Sequence, residues 1–125
     1  MLGSRDAMAT VAVKDMNVAK KFYENTLGLK RDSAENPEAI TYKAGSSTLL
    51  VYRSQYAGTN EATAVTWPVD NDLEEIVQAL RAKGVTFERY DLPDTTRKGD
   101  VHEAGGTRVA WFKDPDGNIH ALVSE

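Results

Sequence analysis

Cysteine is absent from this chain of 125 residues, which removes disulfides and thiolate chemistry together. With no disulfide framework to keep oxidised, a reducing cytoplasm is the expected compartment. Only two histidines are present, His102 and His120, so imidazole for metal binding or proton transfer is scarce. Apolar runs extend for only a few residues, too short for any of them to span a bilayer as a helix. The opening "MLGSRDAMATV" has no long apolar core of the kind a secretory signal needs. Positive charge is not in excess either: the formal net charge is −4, which disfavours binding along a phosphate backbone. The basic pairs Lys20–Lys21, Lys30–Arg31 and Arg97–Lys98 therefore read as solvated faces. No phosphate-binding glycine loop and no Ser–His–Asp arrangement is found.

What is present suits a compact core. Hydrophobic residues make up 41% and charged residues 27%, the balance of a water-facing globular protein. Two segments carry the period of an amphipathic helix. In "DNDLEEIVQALRAKG", Leu73, Ile76, Val77 and Leu80 fall on one helical face. Asp70, Asn71 or Asp72 can cap its start, and Gly84 can end it in the left-handed region. In "KDMNVAKKFYENTLG", Val18, Ala19 and Phe22 share a similar spacing, with Asp15 or Asn17 as cap and Gly28 as stop. Short β-branched runs, "ATVAV" and "TAVTWPV", precede the two helices.

The spacings reveal a repeat. Val13 to Gly28 and Val69 to Gly84 are both fifteen residues, and the pattern recurs with an offset of 56. More strand-like runs follow each helix: "AITYKAG" and "STLLVYRS", then "VTFERY", "TRVAWF" and "NIHALV". The reading is strand–helix–strand–strand–strand, twice, in modules of about residues 7–56 and 62–124. The second half also holds "DLPDTTRKGDVHEAGG", whose Pro, Gly and Asp content predicts a long loop.

Two stretches, "VAVKDMNVAKKFYENTLGL" and "VAWFKDPDGN", resemble the vicinal oxygen chelate superfamily. That superfamily includes glyoxalase I, extradiol dioxygenases, fosfomycin-modifying transferases and bleomycin-binding resistance proteins. The resemblance covers roughly residues 7–124 and implies a single α+β domain. Two βαβββ modules would form a curled mixed sheet around a concave cavity, helices on the convex side. It also implies a homodimer.

The resemblance implies four inward-facing positions for metal ligands, and each can be located here. Counting seven residues back from Asp15 gives Met8, and adding the 56-residue offset gives Ala64. The "LLVY" run places Leu50, and seven residues after Asp114 comes Ala121. A divalent cation needs three or four N, O or S donors, and a thioether with three hydrocarbons supplies no such set. The expectation is a chain without metal or other cofactor, whose "DPDG" turn shapes a hairpin only. The same faces carry Tyr52, Val109 and Trp111, so that Met8, Leu50, Tyr52, Ala64, Val109, Trp111 and Ala121 describe an apolar, aromatic-edged pocket. The expected function is binding of a small hydrophobic or aromatic molecule, with no nucleic acid and no membrane as partner. The competing expectation is a glyoxalase-like lyase acting on a small carbonyl or thiol conjugate. It would use His102 and Glu103, reaching from the long loop as an acid–base pair. His120, alternating with Ile119 and Ala121, is expected on the helix side as a structural residue.

Overall fold

A computed structural model describes residues 1–34 and 36–125. The chain divides into two compact units, Met1–Thr59 and Asn60–Glu125.

In the first unit, β1 (Ala9–Val13) leads into α1 (Met16–Lys20), which continues as a π-helix over Lys21–Thr26. Asp15 caps α1: its Oδ1 accepts the backbone N–H of Asn17 at 2.9 Å and of Val18 at 3.3 Å. The face that α1 and the π-helix bury is Met16, Ala19 and Tyr23. The expected face of Val18, Ala19 and Phe22 is corrected by this: Val18 is 44% exposed and Phe22 is half-buried. The reason lies in the strand Ala39–Ala44, where Tyr42 stacks on Tyr23 with ring centroids 6.1 Å apart. The larger amphipathic ring wins the interior because its neighbour across the sheet is another tyrosine. Phe22 meets Tyr23 edge-on from outside.

Strands β2 (Lys30–Arg31), β3 (Ala39–Ala44) and β4 (Ser47–Arg53) complete the unit. The sheet order is β1-β4-β3-β2, with β1 parallel to β4 and the other pairs antiparallel. Val11, Val13, Ile40, Tyr42, Leu49 and Val51 are buried, all on one side by the period of two.

The second unit repeats this plan. Strand β5 (Thr63–Pro68) is followed by a 3₁₀ turn at Asp70–Asp72 and by α2 (Leu73–Ala82). Leu73, Val77 and Leu80 are buried, as the helical period requires. None of the three candidate capping side chains makes a cap bond; the 3₁₀ turn, with Asp72 N–H on Val69 C=O at 3.0 Å, starts the helix instead. Gly84, at φ +92°, ends α2, with its N–H on Arg81 C=O and the Val85 N–H on Leu80 C=O, both at 3.0 Å. These are the two bonds of a Schellman stop, which needs the left-handed residue.

Strands β6 (Phe87–Glu88), β7 (Thr96–Lys98), β8 (Val101–Ala104), β9 (Thr107–Lys113) and β10 (Ile119–Ser124) follow. The order is β5-β10-β9-β8-β7, with β5 parallel to β10 and β6 also pairing β9. Removing β7 and β8 leaves the same strand–helix–three-strand module as the first unit. The expected long loop is therefore corrected: most of it is a hairpin added to the sheet. Ala104 pairs with Thr107 across Gly105 and Gly106, at φ +58° and +86°, the two positive values that a tight hairpin turn requires.

Candidate ligand-binding site

Each sheet has a helix-side face and an open face. In the second unit the helix side is marked by Arg108, which forms an ion pair with Glu74 of α2. Ala110, Phe112, His120 and Leu122 alternate or pair with it and are all buried. His120 lies nearly parallel to two rings, 4.9 Å from Phe112 at 10° and 6.1 Å from Trp67 at 13°. Its Nδ1 accepts the Trp67 indole N–H at 3.0 Å. Burial pushes its pKa down to about 4, against a smaller opposing pull from the Asp114 charge. The histidine is a packed structural group, held neutral.

The open face is built from two rows that run across strands. One is Thr66, Ala121, Trp111 and Glu88; the other is Pro68, Val123, Val109, His102 and Arg97. Val109, Trp111 and Ala121 thus stand together, Ala121 at 3% exposed and the other two half-buried. Ala64 sits where the β5–β10 register shifts, between the pairs at Thr63 and Val65, and is half-buried. The open face of the first unit carries Leu50 between Thr10 and Thr41, and Tyr52 between Ala12 and Ala39. Tyr52 is 39% exposed. Met8 lies one residue before β1, outside the ladder that begins at the Ala9–Leu49 pair, and is 51% exposed.

The turn that delivers β10 is tied by one carboxylate. Asp114 Oδ1 accepts the N–H of Asp116 at 2.9 Å and of Asn118 at 2.8 Å, and Oδ2 accepts the Asn118 side-chain amide at 2.8 Å. This turn places Ala121 on the open face, at a position where the resemblance implied a metal ligand. Met8, Leu50, Ala64 and Ala121 do not fit a divalent metal. Among the described residues, no group of three or more His, Cys, Asp or Glu side chains could hold a metal ion.

His102 corrects a further expectation. It belongs to β8 rather than to a loop, and it is 2% exposed. Its neighbour Glu103 leaves the opposite side of the strand, where it pairs with Arg108 and lines a cleft of about 350 Å³ with Glu74, Thr96 and Lys98. Adjacent strand residues cannot converge on one substrate atom, so the proposed acid–base pair does not form. His102 instead joins an aromatic cluster on the open face. Its ring is 4.9 Å from Trp111 and 5.9 Å from Tyr90, and those two rings are 5.3 Å apart. The signal that could have placed it was the alternation of "VHEA" opposite "TRVAW" across a Gly–Gly turn.

Residues 7–122 match the model of the Glyoxalase/Bleomycin resistance protein/Dioxygenase superfamily. The chain belongs to that superfamily. Solved structures agree on the superfamily's fold. A lactoylglutathione lyase from Agrobacterium tumefaciens has a TM-score of 0.72 at 16% identity, covering 97% of this chain and 93% of its own. A fosfomycin resistance protein, FosX, from Listeria monocytogenes has a TM-score of 0.70 at 16% identity over 100% and 93%. A superfamily member from Sphaerobacter thermophilus has a TM-score of 0.66 at 26% identity, covering 100% of both chains. No curated protein matches the chain by sequence. Because the superfamily spreads many chemistries over one scaffold, activity has to be argued from the side chains. Among the described residues, no helix is long and apolar enough to cross a membrane.

Proposed function

We propose that this superfamily member is a metal-independent small-molecule binding protein that holds a hydrophobic or aromatic ligand. One observation carries the reading: the open face of the second unit presents Trp111, Val109 and Ala121 together, with hydrocarbon at the positions where a cation would be gripped. Sequestration needs only affinity and a surface that excludes water, and an indole beside small apolar side chains supplies both. Leu50, Tyr52 and Met8 give the first unit's open face a similar character, and Ala64 contributes a small side chain at the edge. The protein acts as a homodimer in the cytoplasm, with neither nucleic acid nor membrane as partner.

The two tryptophans lie on opposite faces of the same sheet, which makes the test specific. Titration with a panel of planar aromatic compounds should quench the fluorescence of Trp111 and leave that of Trp67 unchanged. In Trp67→Phe the quenching should persist. In Trp111→Ala it should vanish, with affinity weaker by at least about tenfold. Unchanged affinity in Trp111→Ala, or a stoichiometric metal bound through side-chain nitrogen or oxygen, would overturn the reading.

A further inference from the structure

His102 holds a donor that no group among the described residues uses. Its Nε2 accepts the Tyr90 backbone N–H at 2.9 Å, so that nitrogen carries the lone pair and the proton of the neutral ring sits on Nδ1. Nδ1 is buried and, among the described residues, is the sole buried side-chain polar atom with no hydrogen-bond partner. Buried donors are almost always paired, and an exception calls for a physical reason. Here the exception sits beside Trp111, on the face proposed above to receive an aromatic molecule.

We infer that His102 Nδ1–H is the polar anchor of this face, donating to the carboxylate of an aromatic acid whose ring lies against Trp111. The charge of the acceptor follows from the neighbouring row positions. Arg97 stands opposite His102 in the β7–β8 ladder, its Nη1 donating to the Gly99 C=O at 3.3 Å, and a cationic residue in this row favours an anionic oxygen over a neutral one. Glu88, opposite Trp111, is the acidic group of the same face, and Lys113 stands 3.5 Å from it, so its charge is already answered. Tyr90 packs beside the imidazole, its ring 5.9 Å away. Its backbone is held by the bond to Nε2, while its ring belongs to a stretch, residues 89–95, outside regular structure. Ligand access to the buried Nδ1 requires a neighbouring ring to turn, and the Tyr90 ring can do so while its backbone N–H keeps the imidazole oriented.

This inference rests on the binding function proposed above, and the test separates the two. The probes are β-naphthoate and β-methylnaphthalene, of similar shape and differing in the acceptor, each titrated to its solubility limit. Naphthoate should bind at least about tenfold more tightly, as a charge-assisted hydrogen bond provides. His102→Phe should abolish that preference, so that the two probes bind alike. In the unaltered protein, naphthoate should shift the His102 Nδ1–H resonance downfield, a readout independent of whether the variant folds. Equal binding of the two probes, a preference that survives His102→Phe, or an unmoved Nδ1–H resonance overturns the anchor and leaves the aromatic site standing. Binding of neither probe overturns both.

Discussion

His120 is 0% exposed and packed against Trp67 and Phe112, which gives the protein a pH dependence with a definite sign. Desolvation lowers its pKa from 6.5 to about 4, with the Asp114 charge opposing. Between those two values the unfolded chain takes up a proton that the folded chain refuses. Stability therefore falls as pH drops below about 6.5 and levels off below about 4. The full shift corresponds to roughly 3 kcal/mol. Replacing the ring by His120→Phe should flatten this part of the urea-midpoint profile against pH. It should also cost about 1–2 kcal/mol at neutral pH, because the Trp67 N–H loses its acceptor. Carboxylates titrate in the same range in both proteins, so the difference between the two profiles isolates the imidazole; parallel profiles would show that His120 does not titrate as argued. His120 was legible at this scale because strict alternation with Ile119 and Ala121 leaves it only one side of a strand.

At the scale of the element, legibility depended on whether a local signal had a competitor. The Asp114–Asn118 turn had none: Pro, Asp and Gly at their favoured places specify it, and three bonds to one carboxylate realise it. Asp114→Ala should accordingly destabilise the fold by about 2–3 kcal/mol, since the buried Asn118 amide and two backbone donors lose their acceptor. Asp114→Asn should cost less, since it keeps one acceptor oxygen; equal loss in the two variants by chemical denaturation would mean that charge alone, and not the bonding pattern, holds the turn. The β7–β8 hairpin was harder to read. The dense Pro, Asp and Thr content of residues 91–96 masked a period-two run beginning at Thr96, and a loop was expected where strands form. With the strands missed, His102 was expected on a loop and its aromatic neighbours went unseen. The buried face of α1 was misjudged for another reason. Helical spacing nominates Val18, Ala19 and Phe22 as readily as Met16, Ala19 and Tyr23. The choice is made by Tyr42 across the sheet, which local periodicity does not contain.

For the whole molecule, the repeat was the most readable feature, because equal spacing between strand ends and stop glycines survives when residue identities have drifted. That offset carried one position, Met8, to Ala64, while the "LLVY" run and the "DPDG" turn located Leu50 and Ala121; at all four the side chains decide the chemistry. Methionine and three hydrocarbons offer a cation nothing, whereas the superfamily's fold by itself would have permitted one. This difference has a thermal consequence. A metal present at a hundred times its dissociation constant stabilises the folded state by about 2.7 kcal/mol, which in a chain of this length raises the melting temperature by roughly 10 °C. Dialysis against a strong chelator should leave the melting temperature unmoved, and millimolar zinc, manganese or magnesium should not raise it. The aromatic acid should raise it in proportion to the logarithm of its concentration, because it binds the folded state alone. A chelator-sensitive melting temperature restored by one of these ions would show a donor set that Met8, Leu50, Ala64 and Ala121 cannot supply, and the assignment of those positions would then be wrong.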